Sequence, residues 1–181
     1  MSEKLYRIKK GQHYARPFSL GFHWDRDRFS YSAVISTLNT YDYVPNSPKS
    51  EQINKLFGFS EGFARHRNEF RLGWRYNKEG TADLFCYFYK DGIRPSLGVI
   101  EDKYKLTTVE LGAEFITTIL RTKNSVIFLV SGDCIPKSIT IPHKRTSRFG
   151  WKLRPYNGGR ETYDNDFYFV VNEWKKGNIP S

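Results

Sequence analysis

The chain has 181 residues, 29 Lys plus Arg against 19 Asp plus Glu, a formal charge of +10, and 17% aromatic residues. So many rings exclude a disordered chain, which lacks apolar surface to bury. No apolar run approaches the roughly 18 residues that span a bilayer, and the positive charge favours polyanionic or acidic partners without specifying a fold.

The start, Met1-Ser2-Glu3-Lys4-Leu5-Tyr6, leads into no apolar stretch of secretory type, so the expectation is a cytoplasmic protein of the producing cell, with a virion as the other place for it. Residues 4–9, 17–24 and 29–36 read as extended. Residues 37–68 read as a long irregular loop that holds Pro45, Pro48, Gly58 and Gly62. Within it, 50–57 is the one helical stretch, capped by Ser47 or Ser50 and ended by Gly58.

From residue 69 the period is two. Phe70, Leu72, Trp74 and Tyr76 alternate with Glu69, Arg71, Gly73 and Arg75, which predicts a half-buried strand. A turn at 77–80 follows, then a second strand over 82–89, a turn at Asp91-Gly92, and a third strand near 93–100 with Pro95 at an edge or bulge. Further strands are predicted over 104–111, 114–121, 126–131, 138–142, 149–154 and 166–174. About twelve strands, with turn signals every 8–12 residues, predict a single all-β domain. Its expected form is an antiparallel two-sheet β-sandwich, jelly-roll or concanavalin-like, with one short helix.

Catalytic signatures are sparse. His13, His23, His66 and His143 show no metal-ligand spacing, and HExxH, CxxC and GxSxG are missing. Asp164-Asn165-Asp166 lacks the glycine and glutamate of a calcium loop, and Gly158-Gly159 reads as a turn. Glu69, Asp83, Glu110 and Glu114 lie on strands, but nothing in one sequence pairs them as a glycosidase needs. Cys86 and Cys134 make no disulfide framework, and Cys86 reads as a small buried apolar residue. No metal or cofactor is expected.

The faces of the first strand pair carry more. Phe70, Leu72, Trp74, Leu84, Cys86 and Phe88 form a core face. The opposite face carries Arg71, Arg75, Phe85, Tyr87 and Tyr89, cations and rings that can stack sugar rings or bases and pair with carboxylates or phosphates. The alternative is that these rings pack under the 37–68 loop or against a second layer. A second basic feature runs from 134 to 160, where there is no Asp or Glu; Lys144, Arg145, Arg148, Lys152 and Arg154 are its candidate polyanion contacts. Arg65 and Arg67 extend the cationic group around Arg71 and Arg75. No pattern for specific nucleic-acid readout accompanies them, so nucleic acid enters on charge alone.

The stretch Ile53-Asn54-Lys55-Leu56-Phe57-Gly58-Phe59-Ser60, with Phe70-Arg71-Leu72-Gly73-Trp74-Arg75-Tyr76 and Gly150-Trp151-Lys152-Leu153-Arg154-Pro155-Tyr156-Asn157-Gly158-Gly159, resembles an uncharacterised group of β-rich proteins of Bacteroidetes-type bacteria and their phages. That resemblance implies a lectin-like jelly roll and no catalytic residues. The expected function is therefore a non-enzymatic structural or binding protein, a phage virion component that contacts neighbouring subunits or an acidic polymer. A carbohydrate-binding module is the alternative, and a polysaccharide-cleaving enzyme of the same fold stands third.

Overall fold

The computed structural model describes residues 3–17, 21–37, 52–77, 81–158 and 166–174. Twelve strands and one helix follow one another as β1 (Glu3–Ile8), β2 (Gly21–Trp24), β3 (Arg28–Ile35), β4 (Asn54–Ser60), β5 (Glu69–Tyr76), β6 (Ala82–Tyr89), α1 (Leu97–Lys103), β7 (Lys105–Val109), β8 (Glu114–Arg121), β9 (Ser125–Gly132), β10 (Lys137–Pro142), β11 (Phe149–Leu153) and β12 (Phe167–Trp174). They form two six-stranded sheets, in the orders β1-β12-β3-β8-β9-β10 and β2-β11-β4-β5-β6-β7. Every named strand pair is antiparallel. This is the β-sandwich that the two-residue rhythm predicted. No helix among the described residues is long and apolar enough to cross a membrane.

The core lies between the sheets and is mostly aromatic. Phe29 of β3 stacks on Phe59 of β4 with centroids 4.5 Å apart, and Trp74 of β5 packs edge-on against Phe167 and Phe169 of β12. Phe70, Leu72, Trp74, Leu84, Cys86 and Phe88 all belong to this core, as their alternation implied. Both cysteines are free thiols, and burial pushes that of Cys86 up.

Two local expectations fail. The helix predicted over 50–57 is not there: residues 52 and 53 precede β4, which runs from Asn54 and pairs with β5 and β11, while 38–51 lie outside the described residues. The long 37–68 loop is thus interrupted by a central strand. β4 is buried on both faces, and its pairing with β5 shifts register between Lys55 and Gly58. Double burial and a bulge erase the alternation by which a strand is recognised.

The strand predicted near 93–100 is instead a tight turn followed by α1. Ser96 caps the helix, its hydroxyl accepting from the Val99 N–H, and Ile100 is the buried residue of its inner face. Leu97, Ile100 and Tyr104 recur at helical rather than strand spacing, and together with Ile53 they cover Phe85 and Tyr87 on the outer face of β6. That face is therefore part core. Phe85 and Tyr87 are each 1% exposed, which removes both as stacking rings for a ligand; Tyr87 borders the groove on this face only beneath Lys55 and Arg94.

Candidate functional site: a cationic, aromatic groove on the outer sheet face

A cavity of about 380 Å³ lies on the outer face of the second sheet. Its floor follows from the β5–β6 register, in which Glu69 faces Tyr89 and Arg71 faces Tyr87 across the ladder. Lys55 of β4 joins them. The walls are Trp151 and Leu153 of β11, the Arg154–Tyr156 segment after it, Tyr14 from the β1–β2 connection, Arg65 and His66 from the β4–β5 loop, and Arg94. Of the lining residues, Lys55, Arg65, Arg71, Arg94, Lys152 and Arg154 are cationic; Glu69 is the single carboxylate among the described residues.

Glu69 is 1% exposed and already engaged. Its Oε1 accepts from Arg71 Nη1 at 3.2 Å and its Oε2 from His66 Nδ1 at 2.8 Å. Arg71, 7% exposed, also donates through Nη2 to the Arg154 carbonyl, while its buried Nε has no partner. Arg71 and Glu69 offset each other in charge, so the positive charge of the floor comes from Lys55.

Lys55 sits between two rings, its Nζ 4.7 Å from the centre of Tyr87 and 4.9 Å from that of Tyr156. Mutual backbone hydrogen bonds between Lys55 and Tyr156, 2.9 and 2.8 Å, hold the two residues side by side. Burial, reinforced by the Arg71 charge, lowers the Lys55 ammonium from its ordinary 10.5 to about 8. Burial also raises the Tyr87 and Tyr156 phenols, so both stay protonated at neutral pH. Arg94 lies over the Tyr87 ring and donates to its hydroxyl at 3.4 Å.

The structure divides the residues singled out from sequence. Arg71, Tyr87 and Tyr89 line the groove. Arg75 does not: it pairs with Glu101 of α1 and lies over Phe85, so it helps fasten the helix. In the basic 134–160 segment, Lys152 and Arg154 line the groove, although Lys152 Nζ pairs with Glu173 at 2.7 Å and Arg154 donates to the Tyr6 hydroxyl. Arg145 is spent on Asp25 at 2.5 Å and Asp27 at 3.2 Å, whereas Lys144 and Arg148 are exposed. Lys55, Glu69, Arg94, Trp151 and Tyr156 complete the site without having been singled out as contacts. Trp151 and Tyr156 carried a signal, since both stand in the Gly150–Gly159 stretch of the resemblance.

Asp83 serves structure: it pairs with Lys105 and accepts from Thr108 and Asn77. Among the described residues, no three His, Cys, Asp or Glu side chains gather in a metal-binding arrangement.

No family model and no curated protein matches this chain. Solved structures do. An alginate lyase from Klebsiella pneumoniae superposes with a TM-score of 0.56 at 11% identity, over 83% of this chain and 60% of the lyase, so the chain spans three fifths of that enzyme's length. Chicken galectin 2 gives a TM-score of 0.39 at 9% identity, over 85% of this chain and 100% of the galectin. The CBM2 module of the evolved Dit of Lactobacillus casei BL23 phage J-1 gives 0.42 at 11% identity, over 93% of this chain and 68% of the module. At such identities the lyase likeness defines a class of fold, the two-sheet jelly-roll sandwich, and nothing narrower.

Proposed function

We propose that this protein binds a segment of an acidic polysaccharide in the groove of its second sheet. The observation that carries the proposal is the lining: aromatic rings and six cations, of which Arg71 pairs with the single lining carboxylate and Lys152 with Glu173, leaving Lys55, Arg65, Arg94 and Arg154 in excess. Rings take the apolar faces of sugars, and the exposed guanidinium groups of Arg65 and Arg94 match carboxylates. The fold likeness to an alginate lyase agrees with this reading.

The test is titration calorimetry with a uronic-acid oligomer and a neutral glucan of equal length. Binding of the uronate, weakened by salt and by Arg94→Ala, supports the proposal. Equal binding of the neutral glucan, or none of the uronate at millimolar concentration, refutes it. Membership of a phage particle is compatible with the same surface, and co-sedimentation with purified particles tests it separately.

The Lys55–Tyr156 pair favours a second reading, cleavage by elimination. Arg94 would neutralise a uronate carboxylate. Lys55, deprotonated in part near pH 8, would take the proton from the adjacent ring carbon. The glycosidic C–O bond then breaks, a C=C bond forms, and the Tyr156 phenol protonates the departing oxygen. Proton transfer from Lys55 to the Tyr156 phenolate resets the pair. Ultraviolet absorbance of an unsaturated uronate product, lost in Lys55→Met and Tyr156→Phe, supports cleavage; its absence from the wild type leaves recognition alone.

A further inference from the structure

Next to the groove, the β2–β11 corner carries a block of rings on the solvent side of the sheet. Phe149 pairs with Trp24 and Trp151 with Phe22 in the strand register, so all four side chains share that face, while His23 and Gly150 turn inward and are buried. The rings touch in series. Trp24 stacks on Phe149 at 6.1 Å with planes 8° apart, Phe22 stacks on Phe149 at 6.0 Å, and Phe22 meets Trp151 edge-on at 6.0 Å. Phe63 of the β4–β5 loop adds a contact to Phe149 at 4.7 Å. Trp24 is 67% exposed, Phe63 71% and Phe22 47%. A cluster of this kind left in water marks a contact surface.

Two features identify the occupant. The block is continuous with the groove, because Trp151 belongs to both. Its indole N–H donates to the Phe63 carbonyl at 3.3 Å and the Arg65 guanidinium lies over its ring at 5.6 Å. The block also adjoins positive charge, the exposed Arg65 on the groove side. Rings that lead out of a cationic groove complement a chain that carries both sugar faces and carboxylates.

We propose that Trp24, Phe22, Phe149 and Phe63 form an outer subsite that stacks further sugar units of the same acidic chain held in the groove. The inference rests on the groove's binding an acidic glycan. It extends that reading by making affinity depend on oligomer length.

The experiment measures affinity for a graded series of uronic-acid oligomers by calorimetry, with indole fluorescence as a second readout. The wild type is expected to gain affinity as the oligomer grows past the groove. Trp24→Ala and Phe63→Ala, at exposed positions, are expected to leave short oligomers unaffected and to weaken long ones about tenfold each. Long oligomers bound equally by the wild type and both variants would overturn the outer subsite while the groove reading stood. Failure of every oligomer, short ones included, would refute the groove reading and this proposal together. If sedimentation shows self-association that Trp24→Ala abolishes, the block is a contact between copies of this chain, and the proposal is likewise overturned.

Discussion

Replacing Lys55 by Met tests the electrostatics of the groove directly. The side chain keeps its length and its contacts with Tyr87 and Tyr156 but loses the ammonium. Burial and Arg71 bring that ammonium from 10.5 to about 8. At about 1.4 kcal/mol per pH unit, the gap gives an upper bound of about 3 kcal/mol for the cost of folding with Lys55 charged. Solvent screening of a part-buried group roughly halves that. Between pH 8 and 10.5 the unfolded chain still holds the proton that the folded chain has released, so wild-type stability gains a rising component with pH over that window.

Lys55→Met is therefore expected to be more stable than the wild type by about 1–3 kcal/mol at pH 7, with the advantage vanishing by pH 10.5. Urea unfolding of both proteins across that range measures it, since subtraction cancels the other titrating groups. If Lys55→Met is the less stable at pH 7, or the difference stays constant with pH, the rings stabilise the cation more than burial costs and the argument is wrong. The same charge should grip an acidic ligand. Wild-type affinity is expected to fall as pH rises through about 8, and Lys55→Met should bind weakly throughout.

Other outcomes follow from buried polar groups and close backbones. Burial lowers His23 from 6.5 to about 4, so stability drains away as pH falls between those values; His23→Gln, which can still donate to the Ser60 carbonyl, should flatten that slope in denaturant titrations at pH 7, 5 and 4. Burial would raise the Glu61 carboxyl, but hydrogen bonds from His143 and Thr146 outweigh it and hold the group below its usual range. Glu61→Ala should cost about 3–5 kcal/mol, seen as a melting temperature lower by about 10 °C, because Arg121 and His143 stay buried without their shared anion. A Cβ at Gly150 would lie 1.8 Å from the Ser60 carbonyl oxygen, whereas one at Gly98 in α1 meets nothing within 4 Å. Gly150→Ala should thus destabilise by about 2 kcal/mol or more and Gly98→Ala stabilise by about 0.5–1 kcal/mol, in paired chemical unfolding curves.

The fold was legible where apolar and polar residues alternate and a turn signal follows. β5 alternates in residue type and β6 follows it after a turn, so their inner residues, and the outward side of Arg71, Tyr87 and Tyr89, follow from spacing, although both strands are buried on each face. β4 hid because both its faces are covered, and α1 hid because Pro95 and the preceding turn resembled an edge strand. That second error had a consequence, since the helix seals Phe85 and engages Arg75. The groove itself is a product of long-range pairing. β4 and the segment after β11 meet through Lys55 and Tyr156, about a hundred residues apart in the chain, and no local pattern announces that meeting. Charge counts misled for a related reason, since Arg145 stands in a run without acids yet pairs with Asp25 and Asp27 from across the molecule.

The pairing of β1 with β12 sets an order of assembly. During synthesis the β4–β5–β6 meander can zip up early, because each strand finds its neighbour soon after it emerges. β1 has only the Arg7–Arg16 bridge at hand, and no neighbouring strand. It waits until β12 leaves the ribosome, and until then Tyr6 and Ile8, which end in the core, stay open to water. That delay is the interval in which a nascent chain of this architecture is most exposed to aggregation and to holding chaperones.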